Sequence, residues 1–132
     1  MFNLETTVEK TRAKYMNPVV LAYIGDAVYS LYTREKLVFS KDAKVSEIHR
    51  LASEEVRATA QAEFAEKILP VLTDEEADIY RRARNAKKGT RAKSATVAEY
   101  NKSTGLEALL GFLYITGEHE RLNFLLNFNE EI

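Results

Sequence analysis

Asn17–Tyr32 reads NPVVLAYIGDAVYSLY, and the fold turns on how this stretch is read. Asn-Pro is a helix opening: the Asn side chain can cap, and Pro at the first helical position gives up no needed N–H. From Val19 to Tyr32 almost every residue is apolar or aromatic, with one charge, Asp26, directly after Gly25. Leu21, Ile24, Val28, Leu31 and Tyr32 recur at the three- and four-residue spacing of a buried stripe, which predicts a helix over about Pro18–Leu37. The apolar character extends around most of the circumference, so the helix is expected at the centre of the fold. An ionised carboxylate in such surroundings is unfavourable unless it is paired or holds a cation. Asp26 therefore has a structural or a chemical reason to be there.

A second stretch shares that character. Ser103–Tyr114, STGLEALLGFLY, is apolar with a single charge, Glu107, and carries Gly111. Between the two, the spacing predicts a long helix over about Val45–Ile68 and another over about Asp74–Ala86. Val45, Ile48, Leu51, Ala52, Val56, Ala60 and Phe64 form the apolar face of the first of these. Thr73-Asp-Glu-Glu76 reads as a capping box at the start of the second, with its acids where the helix dipole favours them. Lys87–Ala95 reads as an exposed loop, Thr96–Asn101 as one or two helical turns and Glu118–Asn127 as a last helix. Residues 1–16 are expected to be a loosely ordered lead-in or a short helix. Strand alternation is not sustained anywhere, so the fold class is all-α, with roughly five to seven helices in one domain over residues 1–132.

Composition narrows the chemistry. The 132 residues include no cysteine, which excludes disulfides, thiol catalysis and thiolate-bound zinc. His49 and His119 match no histidine-metal spacing. Met1–Glu9 does not resemble a signal peptide, and Val19–Tyr32 is too short to span a bilayer, so a cytoplasmic location without membrane contact is expected. The net charge is −1, but of the 19 Lys and Arg residues seven stand between 81 and 93, leaving 12 against 20 acids elsewhere. Arg81, Arg82, Arg84, Lys87, Lys88, Arg91 and Lys93, with Asn85 among them, thus form a basic stretch on an acidic body. That pattern suits a face that meets a polyanion.

The two lone acids carry the sharper inference. If their helices pack together, glycines 25 and 111 allow close approach and two carboxylates meet in a mainly apolar setting. Two like charges there call for a cation between them. Mg²⁺ commonly takes one or two carboxylates with waters and substrate phosphate, and can promote phosphodiester cleavage. Plainer readings stand beside this one. Thr104–Glu107 also fits a capping box, and Asp26 could bond a tyrosine hydroxyl, that of Tyr23 or Tyr29, or pair with an arginine.

LAYIGDAVYSLY resembles the ribonuclease III signature helix, and STGLEALLGFLY resembles that family's second acidic helix. RRARNAKKGTRAKSA, between them, is similar to the RNA-contacting loop of its short branch, mini-ribonuclease III, which consists of the catalytic domain alone. The resemblance spans about residues 17–116. It implies that Asp26 and Glu107 are catalytic metal ligands for Mg²⁺, with Mn²⁺ a possible substitute. It also implies that Arg81, Arg82, Arg84, Asn85, Lys87, Lys88, Arg91 and Lys93 bind RNA. Three positions that are acidic in the long members fall on Val19, Ala22 and Thr104 here. By the resemblance, the chain is expected to be a homodimeric endonuclease of double-stranded RNA, acting on the large-subunit (23S) ribosomal RNA precursor. Its products would carry 5′-phosphate and 3′-hydroxyl ends. The competing expectations are a non-catalytic RNA-binding or ribosome-associated domain of the same fold, and a plain helical dimer module.

Overall fold

A computed structural model describes residues 5, 7–40, 42–88 and 95–128 of the chain. Among them are seven α-helices and no strand: α1 Lys10–Lys14, α2 Pro18–Ser40, α3 Val45–Glu55, α4 Ala58–Ile68, α5 Asp74–Asn85, α6 Val97–Ile115 and α7 His119–Leu126. A 3₁₀ turn, Leu69–Val71, follows α4 and contains Pro70. The all-α expectation is borne out.

The centre of the fold is α6 rather than α2. It packs against α2, α4, α5 and α7, and from Ser103 to Leu113 every residue but Glu107 is buried. A capping box opens it one turn earlier than the apolar run suggests: Thr96 Oγ1 accepts from the Glu99 N–H at 3.0 Å, and Glu99 Oε1 accepts from the Thr96 N–H at 3.1 Å. The expected short turn at Thr96–Asn101 and the apolar helix after it are therefore one element. Thr104 lies inside it, and its hydroxyl donates to the Tyr100 carbonyl at 3.0 Å, so it caps nothing. The Thr104–Glu107 capping reading falls away.

The start of α2 is as its sequence reads. Asn17 Oδ1 accepts from the Val19 N–H at 2.8 Å, and Pro18 takes the first position. The buried face of α2 differs from the expected stripe. Leu21, Ala22, Gly25, Tyr29, Thr33 and Leu37 face inward, whereas Leu31 is 60% exposed. The reason is close backbone contact. A methyl group at Gly25 would overlap the Glu107 carbonyl oxygen, and one at Gly111 would overlap the Leu21 carbonyl oxygen. The small-residue side of α2 is pressed onto α6, and part of its large apolar side is turned out.

The single helix expected over Val45–Ile68 is two. The chain breaks at Val56 and Arg57, where Arg57 is extended (φ −66°, ψ 151°). The Val56 carbonyl then accepts from Gln61 Nε2 at 2.7 Å. The break rephases the apolar face, so Gln61, Ala62, Ala65 and Ile68 are the buried residues of α4. On the far side of α6, Glu76 of the α5 capping box accepts two hydrogen bonds from Arg121, at 2.7 and 2.8 Å, and Arg121 also donates to the Val71 carbonyl at 2.6 Å. The lead-in is docked: Ala13 is fully buried, Val8 N–H donates to the Ile115 carbonyl at 2.7 Å, and Lys14 pairs with Glu75 at 2.9 Å.

Candidate active site

Asp26 and Glu107, distant in sequence, line one cleft of about 280 Å³. Their meeting follows from the glycine contact. Gly25 lies against the backbone of Glu107 itself, so the residue after it, Asp26, is held beside the Glu107 side chain. The other walls are Val19, Ala22, Tyr23, Tyr100, Thr104 and Lys88. Val19, Ala22 and Thr104, the positions that are acidic in the long members the sequence resembles, thus stand in this same cleft as methyls and a hydroxyl.

The two acids differ in setting. Asp26 is exposed, whereas Glu107 is largely covered. Burial pushes the Glu107 carboxyl up to about 8, the nearby Asp26 charge adds to this, and a hydrogen-bonding interaction with Gln61 works against it. Among the described residues no Lys or Arg pairs with Asp26, so the ion-pair reading of Asp26 finds no partner there. Tyr29 is buried against Phe64 and Tyr32, and its hydroxyl is pushed up to about 12 by burial and then by Glu55 and Tyr32. No group of three or more His, Asp or Glu side chains among the described residues is arranged to cage a metal ion. Two carboxylates in an open cleft instead suit an ion that keeps most of its waters.

The described basic residues have different partners. Arg81 forms an ion pair with Asp78, and Arg82 lies 3.9 Å from the same carboxylate. Arg84 donates to Asn85 Oδ1 at 3.1 Å and sits 5.8 Å from the centre of the Tyr80 ring. Lys87 is exposed. Among the described basic residues, Lys88 is the one that lines the cleft of the two acids. Its Nζ donates to the Arg84 and Ala86 carbonyls at 3.0 and 2.6 Å, and burial lowers its pKa. Arg91 and Lys93 lie outside the described residues.

Sequence reasoning passed over Gln61, a buried amide on α4 whose Nε2 donates to the Val56 carbonyl. The available signal was a lone amide in register with Ala65 and Ile68, but it is visible only once the break at Val56 has set the phase of the helix.

A helical bundle of a known class is what the comparisons recover. A family model described as "Ribonuclease III domain" matches residues 19–118. The chain belongs to the ribonuclease III family and is an endoribonuclease. Among its relatives, "Mini-ribonuclease 3" of Thermoanaerobacter sp. (strain X514) is 47% identical over 117 residues, covering 89% of this chain and 82% of that one. "Mini-ribonuclease 3" of Staphylococcus aureus is 43% identical over 116 residues, covering 86% and 87%. A crystal structure of a Fusobacterium nucleatum protein superposes with a TM-score of 0.80 at 28% identity, covering 91% of this chain and 94% of that one.

Proposed function

We propose that this chain is a Mg²⁺-dependent endonuclease of double-stranded RNA that works as a homodimer, each subunit cutting one strand, with the large-subunit ribosomal RNA precursor as substrate. The observation that carries this reading is the cleft shared by Asp26 and Glu107, in which neither acid forms an ion pair with a Lys or Arg among the described residues. The donor set fits a hard divalent ion: two carboxyl groups lining one cleft, with open space for waters and a phosphate. When bound, such an ion eases deprotonation of an attacking water and stabilises charge on the leaving oxygen.

Asp26 and Glu107 would hold the ion, and Lys88 would contribute a positive charge at the cleft wall for a phosphate oxygen. Water adds to phosphorus and the P–O3′ bond breaks, leaving a 5′-phosphate and a 3′-hydroxyl. Arg84, in the last turn of α5, and Lys87, just past its end, would meet the backbone of the duplex, which is recognised by shape and phosphate position. Arg81 and Arg82 would give more to solvation of Asp78 than to grip.

The dimer reading draws on α2. The residues turned outward on it, Ile24, Val28 and Leu31, form with Leu122 and Leu126 of α7 an apolar groove of about 420 Å³. An exposed apolar surface of this kind marks an interaction site. Tyr29 and Thr33, by contrast, are buried within the subunit and belong to its core.

Incubation of a perfect RNA duplex with and without Mg²⁺, with wild type and Asp26→Asn, tests the reading. Wild type should cut only with the ion, and the variant should bind RNA without cutting. Equal cleavage by both would remove Asp26 from the reaction. The acids replaced by Val19, Ala22 and Thr104 favour one other reading, a non-catalytic RNA-binding domain. EDTA-insensitive binding with no cleavage at any divalent concentration would establish that one instead.

A further inference from the structure

Lys88 stands just past the end of α5, within a stretch, residues 79–98, that contains no Asp or Glu. Its ammonium is tied to the main chain. Nζ donates to the Arg84 carbonyl at 3.0 Å and to the Ala86 carbonyl at 2.6 Å, at the end of the helix where carbonyls lack partners in the next turn. The negative end of the helix dipole favours a cation at that place. An ammonium has three donors, so one is left over. Lys88 lines the cleft of Asp26 and Glu107, yet among the described residues it forms no ion pair with either acid. The space between the ammonium and the acids is open to a substrate.

The same cleft offers little to a second divalent ion. Its other walls are Val19, Ala22, Tyr23, Tyr100 and Thr104. Val19 and Ala22 stand two turns and one turn before Asp26 on α2, and their side chains are hydrocarbon. The Thr104 hydroxyl is turned to the Tyr100 carbonyl at 3.0 Å. Mg²⁺ takes carboxylates, waters and phosphate oxygens, so a second ion would have to share both acids with the first, beside a fixed ammonium that repels it.

We propose that the site works with a single divalent ion, and that the Lys88 ammonium takes the place of a second one by donating to a non-bridging oxygen of the scissile phosphate. The inference rests on the metal reading above and goes beyond it in the number of ions and in the task of Lys88. As water adds to phosphorus and the P–O3′ bond breaks, negative charge gathers on the phosphate oxygens. The proton lost by the water passes through solvent to O3′, and Lys88 stays an ammonium throughout. Because α5 already holds it, no side chain has to be ordered as that charge develops, and losing one such donor typically costs about 100-fold in kcat.

The test uses the whole chain as wild type, Lys88→Gln and Lys88→Arg. Bound Mn²⁺ is counted without RNA by electron paramagnetic resonance, cleavage of a saturating RNA duplex is followed against Mg²⁺, and thermal unfolding is measured alongside. Wild type should bind one Mn²⁺ per chain and show a simple hyperbolic Mg²⁺ dependence. Lys88→Gln should bind Mn²⁺ no more weakly, lose about 100-fold in kcat, and change far less in KM for RNA. Lys88→Arg, which keeps the charge, should recover part of that loss. Two Mn²⁺ per chain, or a Mg²⁺ dependence of second order, would overturn the proposal. So would a Lys88→Gln chain with a lowered melting temperature and unchanged kcat, which would make Lys88 a cap of α5 and nothing more. A wild type that binds no Mn²⁺ would overturn the metal reading itself, an outcome distinct from both.

Discussion

At the scale of single residues, Glu107 has the largest consequence for solution behaviour. Its folded-state pKa, about 8, lies above the ordinary 4.5. The native state thus binds a proton that the unfolded chain has released between those values, so stability falls as pH rises through this window and the loss is complete above about 8. Without divalent ions, thermal unfolding followed from pH 5 to 9 should show a falling midpoint. Glu107→Gln should remove most of that fall, and Mg²⁺ should offset it in wild type. Cleavage by Glu107→Gln should drop about 100-fold or more, since the ion's contribution is worth several kcal/mol. Glu76 shows the opposite sign. Burial works against the ionised Glu76, but the hydrogen bonds from Arg121 and Thr73 prevail and lower its pKa. Their stabilisation is present above about 4.5 and lost as pH falls through the lowered value. Arg121→Leu strands a buried carboxylate and should cost about 3 kcal/mol in urea unfolding at neutral pH.

Among the elements, those whose ends carry their own chemistry were readable from the sequence, and those set by tertiary contact were not. Asn17-Pro18 and Thr73–Glu76 act through local hydrogen bonds, so α2 and α5 begin where the sequence says. Two S/T-x-x-E patterns compete in α6, at Thr96 and Thr104, and sequence alone does not choose between them. Packing chooses the first, because Thr104 is needed inside the helix that buries Leu106 and Leu109. The break at Val56–Arg57 has no Gly or Pro to announce it, and without it neither the face of α4 nor Gln61 can be read. The two acids were visible as lone charges. Which of the basic residues reach them was not, because Asp78 sits before the basic run and takes up Arg81 and Arg82. Lys87→Ala with Lys88→Ala should therefore flatten the salt dependence of RNA binding by about one unit of slope per lost phosphate contact. Arg81→Ala with Arg82→Ala should flatten it less. Equal effects in a salt titration would show that Asp78 does not restrain its arginines.

For the whole molecule, α2 does two jobs on two sides. One side meets α6 and presents Asp26, and the other lines the groove with α7. A Leu31→Glu change puts a charge in that groove without touching the subunit core, so the subunit should keep its helix content while sedimentation equilibrium reports half the wild-type mass. No helix among the described residues is long and apolar enough to cross a membrane.

Gly25 and Gly111 have a final consequence. Where side chains separate two helices, a substitution can let them creep together or apart by fractions of an ångström. Here main chain rests on main chain, and peptide groups do not compress. The gap between the two acids is thus gauged by the thickness of the polypeptide itself and is insulated from drift in the surrounding core. Adding one methyl at either glycine should act as a shim. Gly25→Ala should cost about 3 kcal/mol or more in unfolding, and in whatever folded fraction survives, the carboxylates would stand too far apart to share one ion.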